Sequence, residues 1–149
     1  MKIRNSAKAV IMRDNKLLVI EKIDKDGPWY LLPGGGQDHG ETLIEAVKRE
    51  CLEELGAEVE VGDMILCREY IGKNHEFSET DSNFHQVEFY FQCTLLSDIN
   101  ESAATQPDNG QIGVRWLSLL DDIGSRIYPK FLLHALKNTN VFIYFGDKN

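Results

Sequence analysis

The sequence predicts a mixed α/β (α+β) sandwich around a central sheet, and three of its features say so. Short runs of Val, Ile, Leu and aromatic residues, bounded by turn-forming clusters, recur along the chain as strands. Two segments, 42–55 and 129–137, carry helical spacing instead. Strands mixed with two helices in 149 residues fit one domain spanning 1–149 with a core of its own.

The elements follow in order. Residues 6–13 and 16–22 are two strands dominated by Val, Ile and Leu, joined by a hairpin turn at Arg13-Asp14-Asn15-Lys16. Residues 24–28 form a polar loop marked by Gly27 and Pro28, and the short apolar segment 29–32 halts at Pro33-Gly34-Gly35-Gly36. The helix over 42–55 has its stop signal in Gly56. Strand candidates 59–61 and 65–71 precede a polar loop over 72–83. The strongest strand is 85–95, where Val87, Phe89 and Phe91 alternate with Glu88, Tyr90 and Gln92. A second polar loop over 97–113 leads to a strand at 113–117. The helix over 129–137 carries Pro129 near its first turn and Phe131, Leu132, Ala135 and Leu136 on its apolar face. A last short strand is expected over 141–145. Loops of this length are places where function gathers in a small domain.

Composition narrows the function classes. Sixteen Lys and Arg against 24 Asp and Glu give a net charge of −8. Neutralising a nucleic acid polymer takes clusters of Lys and Arg, so such a partner is not expected. A small phosphorylated ligand remains compatible, because a divalent cation can supply the missing positive charge. No apolar run approaches the length of a membrane span, and the N-terminus lacks the apolar stretch of a secretory signal. Cys51, Cys67 and Cys93 fit neither a disulfide framework nor a zinc spacing. They are expected to be small buried hydrophobes in a reducing, cytoplasmic compartment.

The chemistry concentrates between residues 34 and 57. Glycines at 34–36 let the backbone turn tightly and approach a ligand closely. In the following helix Ile44, Val47, Cys51 and Leu55 form one apolar stripe. Glu50, Glu53 and Glu54 occupy an arc roughly 100° wide that runs up to the stripe's edge, so at least one of them is expected to be partly buried. As i,i+3 and i,i+4 neighbours they repel by roughly a few tenths of a kcal/mol per pair. They also crowd the C-terminal half of the helix, where its dipole disfavours anions. Clustered carboxylates that oppose each other and the dipole are either a solvated acidic face softened by Lys48 and Arg49 or a site missing its cation, and hard oxygen donors suit Mg²⁺ or Mn²⁺.

Gly35, Glu41 and the run Arg49-Glu50-Cys51-Leu52-Glu53-Glu54-Leu55-Gly56-Ala57 resemble the Nudix box, G-x5-E-x7-R-E-U-x-E-E-x-G-U, with U a bulky apolar residue. Every fixed letter matches; Cys51 and Ala57 are small for U positions, which bears on packing rather than ligation. Trp29-x-x-Leu32-Pro33-Gly34-Gly35 leading in, and Trp116 ending the later strand, also resemble the family. The resemblance implies a Nudix-type α/β/α sandwich with a mixed central sheet. It implies hydrolysis, with Mg²⁺ or substituting Mn²⁺, of a phosphoanhydride bond in a nucleoside triphosphate or another small nucleoside diphosphate-linked compound.

Carried onto matching positions, Glu50, Glu53 and Glu54 would hold the metal, with the Gly34 carbonyl as a further ligand. Glu41 and Arg49 would orient the cluster, and Glu53 or Glu54 would serve as general base unless a later loop supplies it. Gly35 and Gly36 would lie against the diphosphate. Outside the box, Glu88 is a candidate outer ligand and Asp108 a candidate acidic ligand or base, both placed toward the substrate. His75, Phe77, Phe84 and Tyr128 are candidates for contact with a base or sugar; His134 has no partner motif and receives no role. A binding module without turnover is the competing class, and the retained glutamates favour catalysis. Marks of particular subfamilies, such as a proline near 72–73 or a tyrosine at 74–75, are missing. The expected assembly is a monomer or homodimer.

Overall fold

Asp14 and Asn15 take positive φ of 50° and 58°, the left-handed pair that a two-residue hairpin requires. They fold strand β1 (Arg4–Arg13) back onto β2 (Lys16–Asp24). The computed structural model describes residues 2–122, 124–137 and 143–149. Strands β3 (Gly27–Leu31) and β4 (Gly34–Gly36) pair antiparallel with β2 and β1, respectively. Helix α1 (Leu43–Leu55) leads to β5 (Val59–Ile71), and one-turn helix α2 (Ser78–Asp81) precedes β6 (His85–Leu95). Next come β7 (Gln111–Ser118), β8 (Ile127–Tyr128), short helix α3 (Leu132–Leu136) and β9 (Ile143–Asp147). The curled mixed sheet runs β8-β3-β2-β1-β6-β5-β9, with β4 also on β1 and β7 also on β2.

Successive side chains of a strand point to opposite faces, and here both faces are covered. Ala7, Ala9 and Ile11 of β1 and Leu18 and Ile20 of β2 pack under α1. Val10, Leu17 and Val19 alternate to the other face, beneath Leu132 and Leu133 of α3. Burial on both sides explains why these strands read as unbroken Val, Ile and Leu runs. The three cysteines are free and buried, as expected.

Helix α1 is closed at both ends by its own sequence. Thr42 and Glu45 form a reciprocal capping box, and Gly56 ends the helix at φ 59°. The carbonyls of the last turn, orphaned in any helix, are all claimed. Gly56 N–H donates to Leu52 O, Asn100 N–H to Leu55 O, and Gln106 N–H to Glu53 O. The Gln111 side-chain amide donates to Glu54 O at 2.9 Å. The loop after β6 thus binds the acidic end of the helix.

Several expected boundaries move. The 24–28 loop shrinks because Gly27 and Pro28 already pair with β2. The glycine run is a short strand rather than a free turn: a Cβ at Gly34 would strike the β1 backbone, one at Gly35 the Glu50 side chain and one at Gly36 the Arg4 side chain. Candidates 59–61 and 65–71 merge into β5, whose register shifts between Val61 and Leu66 absorb Gly62 and Asp63. Ile44 is exposed, and Ala46 takes its place beside Val47, Cys51 and Leu55 in the buried stripe. The helix expected from 129 starts only at Leu132, because β8 pairs with β3 and holds Pro129 at a strand end. Of the last expected strand, residues 141 and 142 lie outside the described residues, and β9 continues to Asp147.

Candidate active site

Strand β4 brings the glycines against both β1 and α1. A Cβ on Gly34, which has φ +128°, would fall 2.2 Å from Ala7 O. One on Gly35 would fall 2.3 Å from Glu50 Oε1, so the Glu50 carboxylate rests on bare backbone. The Gly34 N–H donates to Glu54 Oε2 at 2.9 Å, and Ser6 Oγ donates to Gly35 O at 3.0 Å.

Arg49 is the hub of the cluster. Its Nε and Nη2 grip Glu41 at 3.1 and 2.7 Å, a bidentate clamp. Nη2 also donates to Gly36 O at 2.8 Å, which ties helix to glycine strand. Nη1 stands between Glu50 Oε1 at 2.9 Å and Glu53 Oε2 at 3.1 Å, the charge that relieves their repulsion. The guanidinium holds the Glu41 carboxyl below its ordinary value.

Glu54 differs from its neighbours. Only 3% exposed, it is the buried member that the helical arc requires. Burial pushes its carboxyl up to about 8, against the opposing pull of Lys8 and the Gly34 N–H. Among the described residues no three His, Cys, Asp or Glu side chains converge into a preformed metal cage. The donor set nonetheless suits a hard divalent cation: carboxylates on adjacent helical turns, one of them buried without a full counter-charge, and a glycine backbone with no side chain in the way.

On the sheet face away from α1, Lys8 Nζ donates to Gly34 O at 2.8 Å, so the carbonyl expected as a metal ligand has an ammonium partner here. Glu88 is buried rather than outward-facing: Arg68 Nε meets its Oε2 at 2.5 Å, and Gln86 Nε2 and Tyr90 OH also donate to it. Burial works to raise the Glu88 carboxyl, but Arg68 and Lys8 outweigh it and the net shift is downward. Asp108 pairs with Lys22 Nζ at 2.6 Å and adds to the electrostatic pressure on Glu54.

Lys8, Lys22 and Glu88 line a cavity of about 360 Å³. A second of about 360 Å³ adjoins it, with Trp29, Arg68 and Tyr128 as the common wall. The near cavity borders the glycine strand through Lys8; the far one lies toward Tyr70, Phe77 and Asp81.

The NUDIX domain model matches residues 2–128. The chain belongs to the Nudix family. It is 42% identical over 66 residues to an RNA pyrophosphohydrolase of Helicobacter pylori strain P12, covering 40% of this chain and 42% of that protein. The chain therefore spans less than half the length of that relative. It is 28% identical over 121 residues to the putative nudix hydrolase 1 of Caenorhabditis elegans, covering 77% of this chain and 29% of that protein. A Nudix hydrolase structure from Nitrosomonas europaea superimposes with a TM-score of 0.72 at 21% identity, covering 91% of this chain and 87% of that one. An ADP-ribose pyrophosphatase from Streptococcus suis gives 0.66 at 20% identity, covering 98% and 100%. These likenesses bear out the expected Nudix fold.

Within the Nudix box, the structure brings Glu41, Arg49, Glu50, Glu53 and Gly36 into one network. It sets Gly34 and Glu54 beside them. Phe77 lies in the far cavity, Phe84 in the near one, and Tyr128 in both; His75 instead stacks on Tyr70 at 5.1 Å and binds Asp147. The sequence reading missed Lys8, Lys22, Arg68 and Asp81. Lys8 stands between buried Ala7 and Ala9, and Arg68 follows buried Leu66 and Cys67; a charge inside such an apolar run was the available signal.

Proposed function

We propose that the chain is a metal-dependent pyrophosphohydrolase acting on a small nucleotide-like diphosphate. One observation supports this above the others: Arg49 gathers the box carboxylates against a side-chain-free glycine strand, beside a cavity flanked by Lys8 and Lys22. Glu50, Glu53 and Glu54, with the Gly34 carbonyl, are the groups that would hold Mg²⁺ or Mn²⁺. When bound, such a cation neutralises phosphate oxygens and makes water a better nucleophile at neutral pH.

The chain's own residues supply the rest. Lys8 and Lys22 turn toward the phosphates, each exchanging a protein oxygen for a phosphate oxygen. Arg49 and Glu41 keep the carboxylates in register across the reaction. Glu53, whose side chain is 20% exposed against 14% for Glu50, is the most accessible of the three carboxylates and takes the proton of the attacking water. The water oxygen bonds to phosphorus as the bridging P–O bond breaks, and the bridging oxygen leaves with that electron pair. Positioning and electrostatics carry most of the acceleration in phosphoryl transfer.

The net charge of −8 favours a small ligand over a polymer. Buried free cysteines agree with a reducing, cytoplasmic setting, and among the described residues no helix is long and apolar enough to cross a membrane. The test is a panel of nucleoside triphosphates, nucleoside diphosphate sugars and a short RNA, each with Mg²⁺ and with chelator. The expected result is chelator-sensitive cleavage of a small nucleotide. Binding without turnover across the panel would refute catalysis, and preference for the RNA would refute the small-substrate reading.

A further inference from the structure

The far cavity has a different chemistry from the near one. Its walls are aromatic: Trp29 meets Tyr128 edge to face at 5.8 Å, and Phe77 meets Tyr128 at 5.6 Å. Phe77, on an otherwise polar loop, keeps 42% of its surface exposed beside this cavity. The cations at its border are engaged. Arg126 is held by both oxygens of Asp24 at 2.9 and 2.8 Å, and Arg68 by Glu88 and by Lys148 O, each at 2.5 Å. Lys8 and Lys22 line only the near cavity, next to the glycine strand and the box carboxylates, which puts the phosphates there; the far cavity, aromatic and with its own cations paired, suits a planar uncharged ring.

Asp81 lines this cavity with an oriented carboxylate. Tyr70 OH donates to its Oδ2 at 3.0 Å, and the single Thr80 Oγ1 proton is shared between its Oδ1 and Phe77 O, each at 3.1 Å. Tyr70 is itself braced, stacked on His75 and with the Arg68 guanidinium 5.3 Å from its ring centroid. An ionised carboxylate has about four acceptor sites, and these contacts occupy at most one on each oxygen. What remains is a fixed acceptor on each of two neighbouring oxygens. Guanine is the base whose pairing edge presents two adjacent donors, N1–H and the N2 amino group. Adenine and cytosine set a ring acceptor beside their amino group, and uracil flanks its single N–H with carbonyls; each would turn a lone pair toward the carboxylate.

We propose that the far cavity is a base pocket in which Asp81 selects guanine, with Phe77 and Tyr128 as the stacking wall. The proposal rests on the pyrophosphohydrolase reading for the placement of the phosphates, but its test does not need turnover. Calorimetric titration of the chain with GDP, ADP, CDP and UDP in Mg²⁺ is expected to give a Kd for GDP roughly 10- to 100-fold lower than for the others, the range for one bidentate pair. Asp81→Asn exchanges one acceptor for a donor, so it should weaken GDP and strengthen xanthosine diphosphate, whose 2-carbonyl replaces the amino group. That reversal of preference cannot come from a merely structural role. Phe77→Ala, at an exposed site the fold tolerates, should raise the Kd for every base by roughly tenfold through lost stacking.

Equal affinity for the four diphosphates, or a preference for ADP, would overturn the assignment whether or not the Asp81 variant folds. So would an Asp81→Asn protein whose guanine-to-xanthine ratio is unchanged. Comparison of GDP with its 2′-deoxy form separates base from sugar: if the variant erases only that difference, Asp81 reads the ribose and the base assignment falls. Selective GDP binding without hydrolysis of any nucleotide would uphold the pocket and refute the hydrolase reading.

Discussion

Gly35→Ala isolates the contact on which the cluster is built. The added methyl would sit 2.3 Å from Glu50 Oε1 and 2.6 Å from its carboxyl carbon. Carbon and oxygen do not ordinarily approach closer than about 3.3 Å, so the carboxylate must retreat by about 1 Å. It is the far end of a side chain, and the backbone has no need to move. The loss of stability should stay within about 1–2 kcal/mol, the lower part of the range for a hydrogen bond between charged groups, because the Arg49–Glu50 pair is partly exposed to solvent. A misplacement of that size at a catalytic group costs about 100-fold in rate, and the Mg²⁺ concentration for half-maximal activity should rise in step. Gly34→Ala is the control of opposite kind. There the methyl meets Ala7 O at 2.2 Å and Lys8 Cα at 2.8 Å, and φ is +128°, so β4 must leave β1 and the loss should exceed about 2 kcal/mol. Thermal melts and Mg²⁺ titrations of turnover on the two proteins read both effects. Wild-type metal dependence in Gly35→Ala, or a fully stable Gly34→Ala, would refute the geometry.

Glu53→Gln should lower turnover by about two to four orders of magnitude, the range for a general base, with an unchanged melting temperature; near-normal rates would remove Glu53 from the mechanism. Asp24, held down to about 2 by Arg126, stabilises the folded state above its ordinary value of 3.8, and that contribution disappears as pH falls through 2. Urea melts should therefore separate wild type from Asp24→Asn at pH 5 and converge near pH 2; a constant gap would contradict the pairing. Burial raises the thiols of Cys51 and Cys93, the latter to about 12. Both should resist alkylation in the native protein at pH 8 and react once urea unfolds it; rapid native labelling at either would place it outside the core.

The box was legible because its chemistry is local: the acidic arc and the stop glycine lie within one helix and its flank. The arc alone required a buried glutamate, and Glu54 is that residue. Arg49 reaching Glu53 was readable from its i,i+4 spacing, while its reach to Glu41 was implied by the family resemblance. What stayed hidden depends on pairing across the sheet. Arg68 and Glu88 are register partners on β5 and β6, and nothing in either strand names the other. Lys8 meets Gly34 only because β4 folds onto β1. The glycine run read as a turn because a ladder of glycines has no side-chain pattern to reveal it. Ile44 misled for the opposite reason: its spacing fits the stripe, but Leu43, four residues before Val47, packs on the core instead and Ile44 turns to solvent.

The account turns on whether a divalent ion enters among the box carboxylates. Crystals grown with Mn²⁺ and a non-hydrolysable nucleotide, measured at the manganese absorption edge, answer this directly. An anomalous peak bounded by Glu50, Glu53 and Glu54, with Arg49 drawn off at least one of them, is the predicted result. A peak elsewhere, or an occupied nucleotide with those side chains still bound to Arg49 and no ion beside them, would contradict it.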